Sequence, residues 1–352
     1  MDEPGAAGVP IEATPTRSTT SHPTLGLVIA CYSLERADDV VRLIASIRDQ
    51  SSAPDDVVFV VQRSRELFEL VRRETTWLSG SRVLLRFLDA SNGVSRARNA
   101  GIRELSTDIV AFVDDDSVLM VDWAAATREF YAGRPDVIGV AGAIQPLWDG
   151  PAMEWFPREL YWMLSCTYWT ATSPVPVRNG YGANMSFRRE AFEAVGGFSE
   201  SIGIAGWGST GWRGMGGEEP ELALRVVARM GRPIFFVPDI RVWHRVRAHR
   251  LKVRSLVRRA YWEGRLKAAL SRGAGRTAGV LDTERSLLRE IARAHLARLR
   301  LLPAKPGLAL RQQGLVLLVV AVVALGFLDG RVRRARIAGG SGVAAASRGI
   351  EG

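Results

Sequence analysis

The chain has 352 residues, of which 47% are hydrophobic and 24% are charged, which excludes a disordered protein and allows one large α/β domain with additions or two modest domains. The formal net charge is +10, so partners that carry negative charge have to be considered. The two cysteines, Cys31 and Cys166, have no metal-ligand spacing and predict reduced thiols in a cytosolic protein.

Residues 1–24 are rich in Pro, Thr and Ser and predict a disordered leader. The next part of the chain alternates between short apolar runs and amphipathic segments. Strands are expected at 25–31, 57–61, 82–88 and 109–113, and helices are expected around 40–47, 65–73 and 93–105. This alternation predicts a parallel, doubly wound α/β sheet, which binds ligands beyond the carboxyl ends of its strands.

Three adjacent carboxylates, Asp114, Asp115 and Asp116, follow the fourth predicted strand directly. They repel one another, and a divalent cation is a suitable counter-charge because Mg²⁺ and Mn²⁺ favour carboxylate and phosphate oxygens. Such a cation also stabilises the charge that develops on a departing nucleoside diphosphate. The alternative is a solvated turn, in which Asp is common.

Further motifs surround the acidic triplet in a fixed order. They read NGVSRARNAG at 92–101, RNGYGANMSFRR at 178–189, GGF at 196–198, GGEEPELALR at 216–225 and VWH at 242–244. Over residues 25–265 this series resembles the inverting family 2 glycosyltransferases, of the membrane-associated bacterial type. The resemblance implies a GT-A fold over 25–250, with a donor half at 25–145 and an acceptor half at 146–250.

The resemblance also implies roles for individual residues. Asp116 and Asp114 match the metal-binding pair, for Mn²⁺ or Mg²⁺, and His244 is either a further metal ligand or a structural histidine. The acceptor side is expected to include Asn184, Trp207 and Gly217. The donor pocket is expected to include Ala30, Tyr32, Gln62, Asn92, Arg98, Asn99, Asp114 and Asp115.

An inverting transfer needs one carboxylate that takes a proton from the acceptor hydroxyl. Glu219 matches the family's base, but Glu stands where Asp is commoner, so Glu218 competes for the role. Both glutamates would also suit the first turn of a helix. A second departure is Gln62, which stands where the family has an Asp that contacts the nucleobase. The base therefore stays open between uracil and guanine, with a UDP-sugar favoured.

The positive charge is concentrated towards the C-terminus, where the segment 241–311 holds 19 Lys or Arg residues against 4 Asp or Glu residues. Basic amphipathic helices are expected over 251–305, which favours an anionic membrane surface over nucleic acid. The apolar run 314–328 is 15 residues long, short of the roughly 20 that cross a bilayer. We predict a membrane-associated helix over 308–330, with a buried core helix as the alternative, and a flexible tail over 331–352.

These observations together predict a metal-dependent inverting glycosyltransferase at the cytoplasmic face of the membrane, either peripheral or single-pass. Its acceptor would be a glycan, a lipid-linked or cell-envelope hydroxyl, or another hydroxyl. The alternative is a non-catalytic, membrane-associated nucleotide- or glycan-binding protein of the same fold.

The segment 206–211, GWGSTG, matches a dinucleotide-binding pattern, but no strand precedes it, so we interpret it as a loop over the site. The oligomeric state stays open.

Overall fold

A computed structural model describes residues 22–89, 93–200, 203–204, 214–273 and 282–332. The strands are β1 (Leu25–Cys31), β2 (Asp56–Gln62), β3 (Arg82–Leu88), β4 (Ile109–Asp114), β5 (Ser117–Leu119), β6 (Gly139–Trp148), β7 (Val175–Val177), β8 (Met185–Arg188), β9 (Gly203–Ile204), β10 (Gly214–Met215) and β11 (Ile234–Val246). The helices are α1 (Ala37–Arg48), α2 (Arg65–Glu74), α3 (Val94–Glu104), α4 (Trp123–Ala132), α5 (Arg189–Val195), α6 (Glu218–Met230), α7 (Val253–Gly273), α8 (Asp282–Leu301) and α9 (Pro306–Val332).

Nine of the described strands form one mixed sheet. Its order is β3-β2-β1-β4-β8-β6-β11-β5, and β7 also pairs with β11. The predicted parallel arrangement is confirmed for β3, β2, β1 and β4. The rest of the sheet is mixed: β6 and β11 pair in parallel, whereas the short strands β5, β7 and β8 run antiparallel to their neighbours. These strands are short and pair with distant segments, so they leave no helix-crossover pattern in the sequence.

The inner strands of the parallel half, β1, β2 and β4, are buried on both faces, which explains why they read as continuous apolar runs. On β1, Leu27 and Ile29 face the core layer that contains α1, whereas Val28 faces the layer that contains α3. Gly101 of α3 lies against this strand, since a Cβ there would come within 2.4 Å of Val28 Cγ1. This close packing fixes the height of α3 over the sheet and therefore the position of its polar residues.

The C-terminal helices form a unit attached to the sheet domain. α9 has 27 residues, so it is longer than the apolar run alone and long enough to cross a membrane by length and composition. Only 28% of the most apolar 18-residue window of α9 is buried, whereas the core helix of a soluble protein would be mostly buried. α7 and α9 touch backbone to backbone, because a Cβ at Gly264 would lie 2.0 Å from Val323 O and one at Gly326 would lie 2.0 Å from Tyr261 O.

Polar contacts hold this unit to the sheet domain. Arg298 of α8 forms a buried ion pair with Glu159, which lies in the 3-10 helix Arg158–Leu164. The guanidinium of Arg311 at the start of the apolar stretch lies 3.5 Å from the ring centroid of Trp155. The basic and apolar helices therefore have a defined place beside the cleft described next.

Candidate active site

A cavity of about 620 Å³ opens at the carboxyl ends of the parallel strands. Ala30 of β1 and Asp114 of β4 are register partners, and Gln62 ends the neighbouring strand β2. All three residues line the cavity, as the strand-end rule for α/β sheets predicts.

A group of side chains that could hold a metal ion lies at this edge. The antiparallel pairing of β11 with β5 places His244 opposite Ser117, directly beside the acidic triplet. Asp114, Asp116 and His244 each offer one ligand atom, and these three atoms lie within 4.8 Å of one another. The Nε2 atom of His244 is 3.2 Å from Oδ1 of Asp116. Two carboxylates and an imidazole are a donor set that suits Mn²⁺, so these residues fit the expected cation.

Arg36 is the residue of this cluster that the sequence did not reveal. It lies in a single 3-10 turn after β1, and its Nη1 contacts Asp115 and is 3.0 Å from Asp116 Oδ2. Burial, with the neighbouring Asp116 charge, raises the pKa of Asp115 to about 7 although Arg36 opposes the shift. Burial also acts to raise the pKa of Asp116, but the charges of His244 and Arg36 outweigh it and hold that pKa below its usual range.

The same electrostatics act on His244. Burial alone would lower the pKa of His244, but the Asp116 carboxylate raises it to about 10. A proton on His244 and the guanidinium of Arg36 therefore balance the acidic cluster in this state. A cation held by the same residues would replace that balance, because His binds a metal as neutral imidazole.

Arg98 of α3 joins the acidic cluster to the two glutamates. Its Nη2 atom is 3.2 Å from Asp114 Oδ1, and its Nη1 atom is 3.2 Å from Glu219 Oε1 and 3.4 Å from Glu218 Oε1. Gly182 provides the space for this guanidinium, since a Cβ there would lie 1.9 Å from Arg98 Nη2. One buried cation therefore fixes the candidate base relative to the strand-end carboxylates.

Glu218 and Glu219 differ in their surroundings although both line the cavity. The side chain of Glu218 is only 3% exposed, whereas that of Glu219 is 17% exposed. Burial, with the adjacent Glu219 charge, raises the pKa of Glu218 to about 8. The raised pKa favours the protonated form of Glu218, and Glu219 is the more exposed of the two glutamates.

Tyr32 and Gln62, two of the residues expected to bind the nucleoside, also line the cavity. Gln62 is buried, and its Oε1 has no hydrogen-bond partner among the described residues. A buried amide oxygen without a partner is costly unless a ligand satisfies it. Tyr32 is exposed, and the guanidinium of Arg36 lies 4.8 Å from its ring centroid. The amide oxygen of Gln62 and the aromatic ring of Tyr32 thus line the same cavity, and a nucleobase would use both.

Two of the expected site residues do not line the cavity. Asn99 instead holds the GGF turn, where its amide donates to Phe198 O at 2.9 Å and accepts from Phe198 N–H at 2.8 Å. Asn184 is buried and its amide donates to Ala143 O and Ile240 O, at 3.0 and 2.9 Å, so it bridges β6 and the bulged part of β11. Both amides are occupied by backbone groups, which the motifs alone do not reveal.

Each of the remaining expected site residues either lines the cavity or lies outside the described residues. Gly217 lines the cavity with a φ of 118°, a conformation that favours glycine, at the start of α6. Asn92 and Trp207 lie outside the described residues, as does the segment 206–211. Three aromatic residues from the segment between β6 and β7 also line the cavity, namely Trp162, Tyr168 and Trp169.

The mixed sheet with an Asp-Asp-His cluster at its strand ends defines a GT-A glycosyltransferase, an enzyme class that uses nucleotide sugars. The model of the family described as "Glycosyl transferase family 2" matches residues 27–196. A curated relative, glucosyl-dolichyl phosphate glucuronosyltransferase of Haloferax volcanii, is 28% identical over 305 residues, which cover 86% of this chain and 94% of the relative. Both comparisons support a glycosyltransferase that is similar to family 2, over residues 27–196 for the family model and over most of the chain for the relative.

Solved structures agree on the fold. The mannosyltransferase PcManGT from Pyrobaculum calidifontis, in complex with GDP-Man and Mn²⁺, superposes with a TM-score of 0.57 at 19% identity, over 87% of each chain. GalNAc-T7 with UDP, GalNAc and Mn²⁺ superposes with a TM-score of 0.50 at 16% identity, over 77% of this chain and 54% of its own. The predicted GT-A fold is confirmed, and Mn²⁺ is present in both neighbours.

Proposed function

We propose that this enzyme transfers a sugar, with inversion, from a nucleotide-diphospho-sugar to a hydroxyl of a lipid-linked acceptor at the cytoplasmic face of a membrane. The observation that carries the proposal is the shared cavity, in which the Asp114–Asp116–His244 cluster and Glu219 are joined through Arg98. A UDP-sugar is favoured, and Gln62 is the residue that would read the base.

The donor end of the cavity would hold the nucleotide and its diphosphate. Asp114, Asp116 and His244 would hold Mn²⁺ or Mg²⁺, which supplies Lewis-acid stabilisation of the departing diphosphate when bound. Tyr32 offers an aromatic face to the nucleobase, and the unsatisfied oxygen of Gln62 would accept a hydrogen bond from an N–H of the base. Arg98 keeps Asp114 oriented towards the cavity.

Glu219 would act as the general base. The acceptor hydroxyl oxygen forms a bond to the anomeric carbon while the bond from that carbon to the diphosphate oxygen breaks. The hydroxyl proton passes to Glu219, and the electron pair of the broken bond leaves with the nucleoside diphosphate. A single displacement of this kind inverts the anomeric configuration. Glu218, whose raised pKa favours its protonated form, is the less suitable base.

The C-terminal helices support the choice of a lipid-linked acceptor. α9 is long and apolar enough to cross a membrane, and the chain around it is strongly basic. Lys and Arg next to an apolar helix favour the cytoplasmic side, where anionic lipids attract them. The curated relative carries dolichyl phosphate in its name, which agrees with an acceptor of the lipid-phosphate type.

A donor screen followed by product analysis tests the proposal. We expect one of the UDP-, GDP- and dTDP-sugars to raise the unfolding temperature of the protein with Mn²⁺ and not with EDTA. With that donor and a membrane lipid extract, NMR of the product is expected to show an anomeric configuration opposite to that of the donor. Retention of configuration, or transfer that EDTA leaves unchanged, would contradict the proposal.

A further inference from the structure

The cavity continues beyond the acidic cluster into a strongly basic region that the donor chemistry does not use. The 3-10 helix Ala248–Leu251 follows β11, and α7 follows this helix, so both extend the wall that carries His244. Arg250, Arg258 and Arg259 line this part of the cavity. The acidic donor end and the basic end are therefore two parts of one cleft.

Other basic side chains nearby have carboxylate partners, which makes these three distinct. Arg247 is 2.7 Å from Asp39, and Arg245 is 3.0 Å from Asp149. Arg259 donates to the neutral hydroxyl of Ser165 at 3.3 Å. Across the described parts of the chain, no carboxylate lies within ion-pair distance of Arg250, Arg258 or Arg259.

Arg250 is the most constrained member of this group. It is half-buried, and burial together with the positive charge of Arg259 lowers its pKa to about 10. Guanidinium groups that lie close together without an ion-pair partner are destabilising until an anion joins them. Guanidinium forks match phosphate oxygens in geometry and charge, so a phosphate is the anion that suits the site.

The surroundings indicate what the phosphate is attached to. Beyond the arginines the cavity wall includes the apolar side chains Trp262 and Leu266 of α7 and Leu287 of α8, next to the ion pair between Lys267 and Glu263. α8 then exposes Leu288, Leu296 and Leu299, and α9, which packs on α7, exposes further leucines. A ligand with a phosphate at one end and a hydrocarbon chain at the other would extend from the arginines in the cleft to the exposed leucines of α8 and α9.

We infer that Arg250, Arg258 and Arg259 form a subsite for the phosphate of a prenyl-phosphate-linked acceptor, whose hydrocarbon chain leaves over α8 and α9. The inference rests on the proposed function, because the acceptor sugar must extend from this phosphate towards Glu219. Two anionic groups would then occupy different parts of the cleft. The donor diphosphate would lie at the Asp-Asp-His end, and the acceptor phosphate would lie at the arginine end.

Equilibrium binding to the full chain in neutral detergent micelles tests the subsite. The probes are farnesyl phosphate, farnesol, inorganic phosphate and phosphatidylglycerol, measured by titration calorimetry. We expect farnesyl phosphate to bind at least about tenfold more tightly than each of the other three, since charge-assisted hydrogen bonds provide the difference. Equal binding of farnesol, or of phosphatidylglycerol, would overturn the subsite.

Variants localise the effect. Arg250→Gln is expected to weaken farnesyl phosphate binding by about tenfold or more and to leave farnesol binding unchanged. Arg254→Gln, on an exposed position of α7 outside the cavity, is the matched control and is expected to bind as the wild type does. If Arg250→Gln does not fold, Arg258→Gln decides, because this side chain is exposed and its loss is expected to weaken the phosphate probe alone.

Nucleotide binding separates this inference from the proposed function. Arg250→Gln is expected to bind UDP or GDP with Mn²⁺ as the wild type does. A parallel loss of nucleotide and farnesyl phosphate binding would assign the arginines to the donor diphosphate and overturn the subsite. If the wild type itself binds neither nucleotide, the proposed function fails, whatever the prenyl phosphate result.

Discussion

The two ends of the cleft carry opposite charge and are built from different kinds of structure. The donor end consists of carboxylates and a histidine that are held at the ends of buried sheet strands. The basic end consists of arginines on a 3-10 helix and on α7, whose other side packs against the apolar α9. Rigid strands suit a reaction centre, and helices that are continuous with an apolar surface suit a lipid ligand.

The largest effect is expected at the donor end. Asp116→Asn keeps the shape of the residue but removes the charge that would bind the cation. Because such a cation contributes several kcal/mol to transition-state stabilisation, transfer is expected to fall by about 10³-fold. Initial rates at saturating donor measure the change. Asp38→Asn, at an exposed position of α1, is the matched control, and an equal loss in both variants would remove the special role of Asp116.

The paired glutamates provide the next contrast. Glu219→Gln is expected to lower kcat by about 10²- to 10³-fold with little change in donor binding, because the proton acceptor is lost. Glu218→Gln is expected to retain most activity, because the raised pKa already keeps Glu218 neutral and an amide resembles the protonated acid. Single-turnover rates compare the two. The reverse order would assign the base to Glu218.

The crossing of α7 and α9 tests whether the basic end depends on the apolar helix. Gly326→Val places a side chain against Tyr261 O, and overpacking of this kind costs about 1–3 kcal/mol. The unfolding midpoint is expected to fall by about 2–6 °C, and farnesyl phosphate binding to weaken while Mn²⁺-nucleotide binding does not. Gly314→Val has open space around it and serves as the control. Equal midpoints for both variants would contradict the close crossing.

The smallest effect is a pH dependence of stability. The folded-state pKa of Glu218 is raised from 4.5 to about 8, so the folded protein binds more protons than the unfolded chain between these values. The free energy of unfolding from this group therefore decreases as the pH rises from about 4.5 to about 8. Relative to the wild type, Glu218→Gln is expected to gain stability over this range in urea unfolding. A constant difference would contradict the shift.

Sequence reasoning predicted the parallel half of the sheet and the position of the acidic triplet at its strand ends, and the reason is physical. β1, α1, β2, α2, β3, α3 and β4 follow one another as local alternating patterns, and the triplet follows β4 directly, so local sequence implies spatial position. The antiparallel insertion of β8 was missed, because its partners in β4 and β6 are chosen by tertiary packing. Asn99 and Asn184 were expected near ligands, but they satisfy backbone groups that no local motif identifies.

The basic end was less predictable. The sequence showed the excess of positive charge in 241–311 but not which cations lack a partner. Arg247 pairs with Asp39, more than two hundred residues away in sequence, whereas Arg250 does not pair with a carboxylate in the described parts of the chain. Arg36 likewise contacts Asp115, which is 79 residues away in sequence. Pairing over such distances depends on the complete fold.

Binding of Mn²⁺, followed by electron paramagnetic resonance, tests the central claim about the donor end most directly. With UDP or GDP present, the wild type is expected to bind one Mn²⁺ per chain, and Asp116→Asn is expected to lose that site while Asp38→Asn retains it. Arg250→Gln is expected to bind as the wild type does, because its ligand is a different phosphate. Undiminished Mn²⁺ binding by Asp116→Asn would contradict the assignment of the Asp114–Asp116–His244 cluster.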